Sequence, residues 1–177
     1  MATDSINSPI AAAAATSSAL ANQTRATAIE IDAFRTARPN DVAALKKLAY
    51  LSIKLRQFSQ HAEQLGDILA AAPPLVSQKV KAVLAQALPE CDKATQVISS
   101  EVRRVVGSGD ASVQAIDPAA VEVYDALLVT HSRIFIFVMQ ILSFETEAEQ
   151  DHFLETKDVQ QLLTKLISGR LWLASML

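Results

Sequence analysis

Residues 48–69 read LAYLSIKLRQFSQHAEQLGDIL, and the apolar spacing in this stretch decides the fold class. Apolar side chains recur at alternating steps of three and four residues, which is the period of one face of an α-helix. They are Leu48, Leu51, Leu55, Phe58, Ala62, Leu65 and Leu69. This unbroken heptad spacing predicts a long amphipathic helix, capped at its start by Asn40, that packs against other helices.

A first helix is predicted upstream of this stretch. Ser8 and Pro9 form a cap followed by a proline at the first helical position, which is a typical helix start. The inward stripe over residues 10–34 is small and partly polar, so the first turns of this helix should be weak. The helix should end at Arg38, because the residue before Pro39 is pushed out of the helical region.

A third helix is predicted downstream. Pro73 and Pro74 separate it from the second helix, and its apolar stripe covers residues 76–105. Pro89 interrupts the stripe, and a proline inside a helix removes one hydrogen bond and clashes one turn back. We therefore expect a kink or a break near residues 85–88.

The remaining part of the chain repeats these start and stop signals. Asp117 and Pro118 predict the start of a fourth helix, which is apolar on nearly all sides and should be the most buried element. Thr146 opens a capping box, which predicts a new helix there. A final amphipathic stretch over residues 159–167 should be stopped by Gly169.

Together these patterns predict an all-α fold. We expect an antiparallel bundle of four to five long helices with left-handed crossings, in one domain over residues 1–177. Residues 1–8 should be disordered, residues 107–117 should form the main loop, and residues 170–177 should be an apolar tail. With four glycines in 177 residues, the turn chemistry of a β-sandwich or barrel is mostly missing.

The net charge of −3 divides unevenly along the chain. Residues 1–109 carry 12 Lys or Arg against 9 Asp or Glu, whereas residues 110–177 carry 4 against 10. The positive excess of the first part is small and contains no basic run. We therefore expect no binding to nucleic acid.

The sequence carries no convincing targeting signal, so we expect a cytoplasmic location, with secretion as the alternative. Residues 10–21 are rich in alanine and lack the basic start of a signal peptide. The most apolar run, IFIFVMQILSF at residues 134–144, is too short to cross a bilayer of about 30 Å as a helix. We expect it to be a buried core segment.

Catalytic and metal-binding patterns are weak. Glu149-x-x-His152 has metal-like spacing, but the second copy that a di-iron bundle needs is absent. His131 adjoins Ser132, but the chain has no G-x-S-x-G motif of a serine hydrolase. The single Cys91 excludes a disulfide framework and a multi-cysteine zinc site; it should be a buried thiol, with a reactive thiol as the alternative. We expect no enzyme activity, no metal and no cofactor.

Four residues are candidates for an interaction surface or a pocket: Tyr124, His131, Arg133 and Trp172. The first three share the most apolar helix and are placed to line an interior cavity for a small ligand. The alternative for His131 is a buried histidine that bonds a neighbouring helix. The aromatic Trp172 suits a partner anchor, with core packing as the alternative.

The order of several segments resembles a known group of fungal domains. After a polar, small-residue first helix come LSIKLRQFSQHAEQLGDIL at residues 51–69, a double proline, LPECDKATQVI at residues 88–98 and THSRIFIFVMQIL at residues 130–142. This order is similar to the fungal helical N-terminal domains that precede STAND-type NTPases, ankyrin arrays and related regulators. The group includes the N-terminal domain of the azaphilone pigment biosynthesis cluster protein L, and the likeness spans about residues 5–170. The resemblance implies a helical bundle without catalytic residues and a signalling, oligomerising or membrane-perturbing role.

Three functional hypotheses follow. The first is a non-enzymatic interaction module, in which exposed apolar positions on the first and last helices mediate self-association or docking to a partner protein. The second is a membrane-acting, HeLo-like bundle whose first helix detaches and inserts. The third is an enzyme or small-ligand carrier with an interior cavity near His131. We favour the first hypothesis.

Overall fold

The computed structural model describes residues 8–37, 42–107 and 118–174. It describes only the backbone of residues 8, 42–44, 118 and 167–174. These ranges form helices and contain no strand, which confirms the predicted all-helical class. The helices are α1 (Ser8–Ala37), α2 (Val42–Ala70), α3 (Gln78–Gly107), α4 (Pro118–Ile141), α5 (Glu147–Leu154) and α6 (Lys157–Ala174). Along the described ranges, no helix is both long and apolar enough for a membrane span.

Several helix ends follow their predicted signals. α1 starts at Ser8 and α4 starts at Pro118, as expected. The capping box at Thr146 is present, because its hydroxyl accepts the amide of Glu149 at 3.2 Å while that glutamate accepts the Thr146 amide at 3.1 Å. The expected cap Asn40, the segment at residues 1–7 and the loop after Gly107 lie outside the described residues.

Two predicted helix breaks do not occur. α3 is a single helix through Pro89, so there is no break near residues 85–88, and the alternative of a kink there stays a prediction. The residues that follow the proline on the inward side, such as Cys91 and Ala94, are fully buried, and this burial offsets the lost hydrogen bond. α6 likewise continues past Gly169, since one glycine costs a helix only about 1 kcal/mol relative to alanine.

α1 and α2 run antiparallel. Ser52 Oγ donates to the carbonyl oxygen of Ala28 at 3.3 Å, and Ser59 Oγ donates to that of Ala21 at 2.9 Å. As the residue number rises on α2, the number of its partner on α1 falls. These serine hydroxyls of α2 thus form hydrogen bonds to backbone carbonyl oxygens of α1 where the two helices lie close together.

α1 and α3, by contrast, run parallel. The hydroxyls of Thr27 and Ser99 are 2.8 Å apart in the core, and Arg103 Nε lies 3.6 Å from Glu30 Oε2 further along both helices. The amino-terminal ends of α1 and α3 therefore lie at the same end of the molecule.

α2 and α4 are the second parallel pair. The Tyr50 hydroxyl donates to Asp125 Oδ2 at 3.1 Å, and further along, the rings of Phe58 and Phe135 pack with centroids 5.3 Å apart. The four long helices contact one another in the cyclic order α1, α2, α4, α3. α5 and α6 pack on the side formed by α3 and α4.

The core follows the predicted stripes. All seven heptad positions of α2, from Leu48 to Leu69, are buried. The inward positions of α1 from Ala13 to Ile31 are also buried, and three of them are threonine or serine. Thr24 and Thr27 satisfy their hydroxyls on carbonyl oxygens one turn earlier, which lets a polar stripe sit in an apolar core.

A buried glutamine fastens the connection between α2 and α3. Gln150 of α5 has no exposed surface; its Oε1 accepts the amide of Ser77 at 2.8 Å and its Nε2 donates to the carbonyl oxygen of Leu75 at 3.2 Å. Ser77 in turn caps α3, since its hydroxyl accepts the amide of Val80 at 3.2 Å. The α2–α3 connection is thus held by a helix that comes much later in the sequence.

Candidate interaction surface

The structure separates the residues predicted to form a pocket. Tyr124 and His131 lie two turns apart on the buried side of α4. Arg133 lies on the opposite side of α4, where it lines a groove of about 290 Å³ together with Asp158 of α6. The side chain of Trp172 lies outside the part of the chain whose side chains are described. Arg133 therefore does not share a site with the other two.

His131 is a core residue. Only 2% of its surface is exposed, and its Nδ1 has no hydrogen-bond partner among the described residues. Burial disfavours the charged imidazolium and lowers the pKa of His131 from 6.5 to about 4. The ring is therefore neutral at pH 7 and closed off from solvent.

The other sequence motifs have structural roles. The Glu149 side chain accepts the Thr146 amide as part of the capping box, and His152 is exposed. In the described parts of the chain, no three His, Cys, Asp or Glu side chains are grouped to hold a metal ion. Cys91 is fully buried, and burial raises the pKa of its thiol well above its usual value, which disfavours the reactive thiolate.

Two isoleucines are exposed at the same level of α1 and α2. Ile29 and Ile53 each expose 54% of their surface. Each is the next residue along its helix from the hydrogen-bonded pair Ala28 and Ser52, so both lie at the same level. Because the helices are antiparallel, one step beyond the contact turns both side chains to the same side of the helix pair. Both therefore lie on the outer surface of the helix pair.

Two ion pairs join α1 and α2 beside the isoleucines. Arg25 Nη2 lies 2.6 Å from Glu63 on one side of them, whereas Arg56 reaches across their level, with its Nη2 2.6 Å from Asp32. Burial acts to raise the pKa of Asp32, but hydrogen bonds from Arg56 and Ser52 outweigh it and lower the pKa below its usual value. We call the two isoleucines together with these two ion pairs the α1–α2 outer face.

The first half of α1 extends this face with small residues. Residues 8–24 contain no Asp, Glu, Lys or Arg. Ala15 and Asn22 are exposed and precede Ile29 at heptad spacing, which places them along the same side of α1. A solvent-exposed helix face normally carries charged residues, so a neutral and small one is unusual.

Sequence reasoning did not single out Ile29 and Ile53. The heptad pattern reports which side of a helix faces the core, and both isoleucines stand outside it. The one available signal was their β-branched, apolar character at positions where the pattern calls for polar residues.

Comparisons with protein-family models, with curated proteins and with solved structures find no match to this chain. The fungal-domain resemblance therefore stays a prediction.

Proposed function

We propose that the protein is a non-enzymatic helical interaction module that associates with a second copy of itself through the α1–α2 outer face. The paired exposure of Ile29 and Ile53 beside balanced ion pairs carries this proposal. The proposal includes that the four long helices form a bundle with left-handed crossings. It also includes that the protein acts in the cytoplasm and needs no metal or cofactor.

The geometry of the face suits contact with its own copy. A contact between two identical copies joins the same patch on each, related by a two-fold axis. That axis lies in the plane of the contact, so the two α1–α2 outer faces would meet face to face. The face carries two cations and two anions, each paired within the copy, so it has no net charge that would repel a second copy.

The apolar area sets the strength of association. Complete burial of an isoleucine stabilises by about 2 kcal/mol, so covering the exposed halves of four isoleucines contributes about 4 kcal/mol. That free energy corresponds to a dissociation constant of about 1 mM, and the entropic cost of association would weaken the binding further. The small-residue surface of α1 must add to the contact to offset this cost, and we expect a weak dimer with a dissociation constant of about 1 mM.

Sedimentation velocity over a concentration series, from low micromolar upward, tests the proposal. The wild-type chain should shift from monomer to dimer as concentration rises. Ile53→Lys should abolish this shift, because each copy would bring a lysine charge into the apolar contact. Circular dichroism should show that the variant keeps its helix content.

Ile136→Lys is the matched control. Ile136 is an exposed isoleucine of α4, away from the α1–α2 outer face, so this variant should dimerise like the wild type. A wild-type chain that stays monomeric at every concentration overturns the proposal. Equal weakening by both substitutions would assign the contact to another surface.

The membrane-acting hypothesis has one observation in its favour, the charge-free first half of α1. However, its exposed residues are mainly alanine, with Ser18 and Asn22, and such residues bind lipid weakly. Flotation with anionic phospholipid vesicles should leave the protein at the bottom of the gradient. Protein that floats with the vesicles would favour the membrane-acting hypothesis over self-association.

A further inference from the structure

An apolar groove of about 430 Å³ lies between the first turns of α1 and the first half of α3. Ile10 and Ala13 of α1 form one wall, and Leu84, Leu88 and Pro89 of α3 form the other. The volume falls in the range of about 300–1,000 Å³ that is typical of small-molecule sites. The groove is separate from Ile29 and Ile53.

Small side chains explain why the groove stays open. α1 contributes Ala12 and Ala13 here and α3 contributes Ala85, so short side chains face each other between two parallel helices. Pro89 adds a polar feature, because it has no N–H and leaves the carbonyl oxygen of Ala85 without an amide donor one turn further on. The groove itself is lined mainly by apolar side chains, and its polar side chains are Thr16, Lys81 and Asp92.

Lys81 marks one end of the groove. Its side chain lines both this groove and a second pocket of about 540 Å³ at the α2–α3 connection. Among the described residues Lys81 makes no ion pair. Glu147 lines the second pocket, so an anion there would meet a like charge, whereas the apolar groove carries no carboxylate near its Lys81 end.

Asp92 marks the other end. Its carboxylate accepts a hydrogen bond from Gln96 at 2.8 Å and repels an anionic group. Lys81 and Asp92 are separated by about 16 Å along the axis of α3. A ligand with one negative end therefore has one favoured orientation and a limited length.

We infer that this groove binds a monocarboxylate with a medium-length alkyl chain. The carboxylate lies at Lys81, and the alkyl chain runs between Ile10 and Leu84 toward Pro89. The apolar walls supply most of the affinity, and the lysine selects an acid over a neutral chain of the same length. This inference is independent of the self-association proposal.

Isothermal titration with decanoate, kept below its micellar concentration, and with the neutral analogue decan-1-ol tests the inference. The wild-type chain should bind decanoate more tightly than decan-1-ol. Lys81→Met should weaken decanoate binding about fivefold, as expected for one partly exposed ion pair, and leave decan-1-ol binding unchanged.

Two matched phenylalanine variants locate the site. Ala85→Phe fills the groove and should abolish binding of both ligands, whereas Ala82→Phe places the same ring on an exposed position of α3 outside the groove and should bind like the wild type. Ile53→Lys should also bind decanoate like the wild type.

Three outcomes would overturn the inference. If the wild type does not bind decanoate, the groove is not a binding site for this ligand class. If Ala85→Phe still binds decanoate, the ligand binds elsewhere on the protein. The third outcome is that the wild type binds decanoate and decan-1-ol with equal affinity and that Lys81→Met changes neither affinity. The groove would then lack the selectivity for an acid that defines the proposed ligand class.

Discussion

Burial of an imidazole makes protein stability depend on pH, and His131 is the clearest instance in this chain. Its pKa is about 4 in the folded protein and 6.5 when solvated, so the unfolded chain takes up a proton first as pH falls. The stabilisation is complete above pH 6.5 and is lost progressively toward pH 4. We expect the free energy of unfolding to fall by about 2 kcal/mol between pH 7 and pH 5 from this residue.

Urea titrations of His131→Leu across this pH range check the prediction. The variant should lose most of the acid-sensitive part of stability, whatever its stability at pH 7. The exposed His152 provides a control, and His152→Gln should keep the wild-type pH dependence. The same slope in His131→Leu as in the wild type would assign the acid sensitivity to other groups.

The sequence predicted which single residues would be buried better than which would be exposed. Cys91 lies in the core as its place on an apolar stripe indicated. Arg133 was predicted beside His131 because the two are close in sequence, but two residues along a helix point to opposite sides. The helical spacing rule that predicted the apolar stripe therefore also separates His131 from Arg133.

At the scale of helices, Gly66 shows how closely α1 and α2 approach. A Cβ at Gly66 would lie 2.9 Å from Ser18 Oγ, which is too close. Gly66→Ala alone should therefore raise the free energy of unfolding only slightly, because the clash with Ser18 offsets the higher helix propensity of alanine. Combined with Ser18→Ala, it should stabilise the protein by about 0.5–1 kcal/mol relative to the wild type.

A double-mutant cycle from urea unfolding of the four proteins measures this coupling. Additive effects of Ser18→Ala and Gly66→Ala would show that the serine hydroxyl does not limit the approach of the helices. A larger effect in the double variant is the expected result.

The helices themselves were largely predictable, and their interruptions were not. Cap-then-proline starts at Ser8 and Pro118 report local backbone chemistry, which the sequence contains directly. Pro89 and Gly169 are also local signals, but whether a helix continues depends on what its flanking turns bury. That burial is a property of the packed molecule, so local rules overestimate such interruptions.

At the scale of the whole molecule, the buried Gln150 ties α5 to the α2–α3 connection. Gln150→Met keeps a similar volume but leaves the buried Ser77 amide and the Leu75 carbonyl without their partner. We expect the free energy of unfolding to fall by about 3 kcal/mol, because an unsatisfied buried polar group costs roughly 1–3 kcal/mol. Urea unfolding measures this loss.

The exposed Gln161 gives the matched control, and Gln161→Met should change stability by less than about 0.5 kcal/mol. Equal, small effects of both substitutions would mean that water replaces the lost partners of Ser77 and Leu75.

The arrangement of the helices could not be derived from their patterns. Each stripe shows that a helix has an inner side, but not which neighbour covers it. The parallel placement of α1 beside α3 depends on contacts such as Thr27 with Ser99, which join residues far apart in sequence. The α1–α2 outer face is a product of this arrangement, since it consists of what remains uncovered once the four long helices have packed.

The dependence of the α2–α3 connection on Gln150 has a consequence for synthesis of the chain. Translation proceeds from the amino terminus, so α1, α2 and α3 leave the ribosome before the glutamine has been made. Until then, the backbone at Leu75 and Ser77 lacks the partner that it has in the finished protein. The last third of the chain thus sets the moment at which the first two thirds are locked in place.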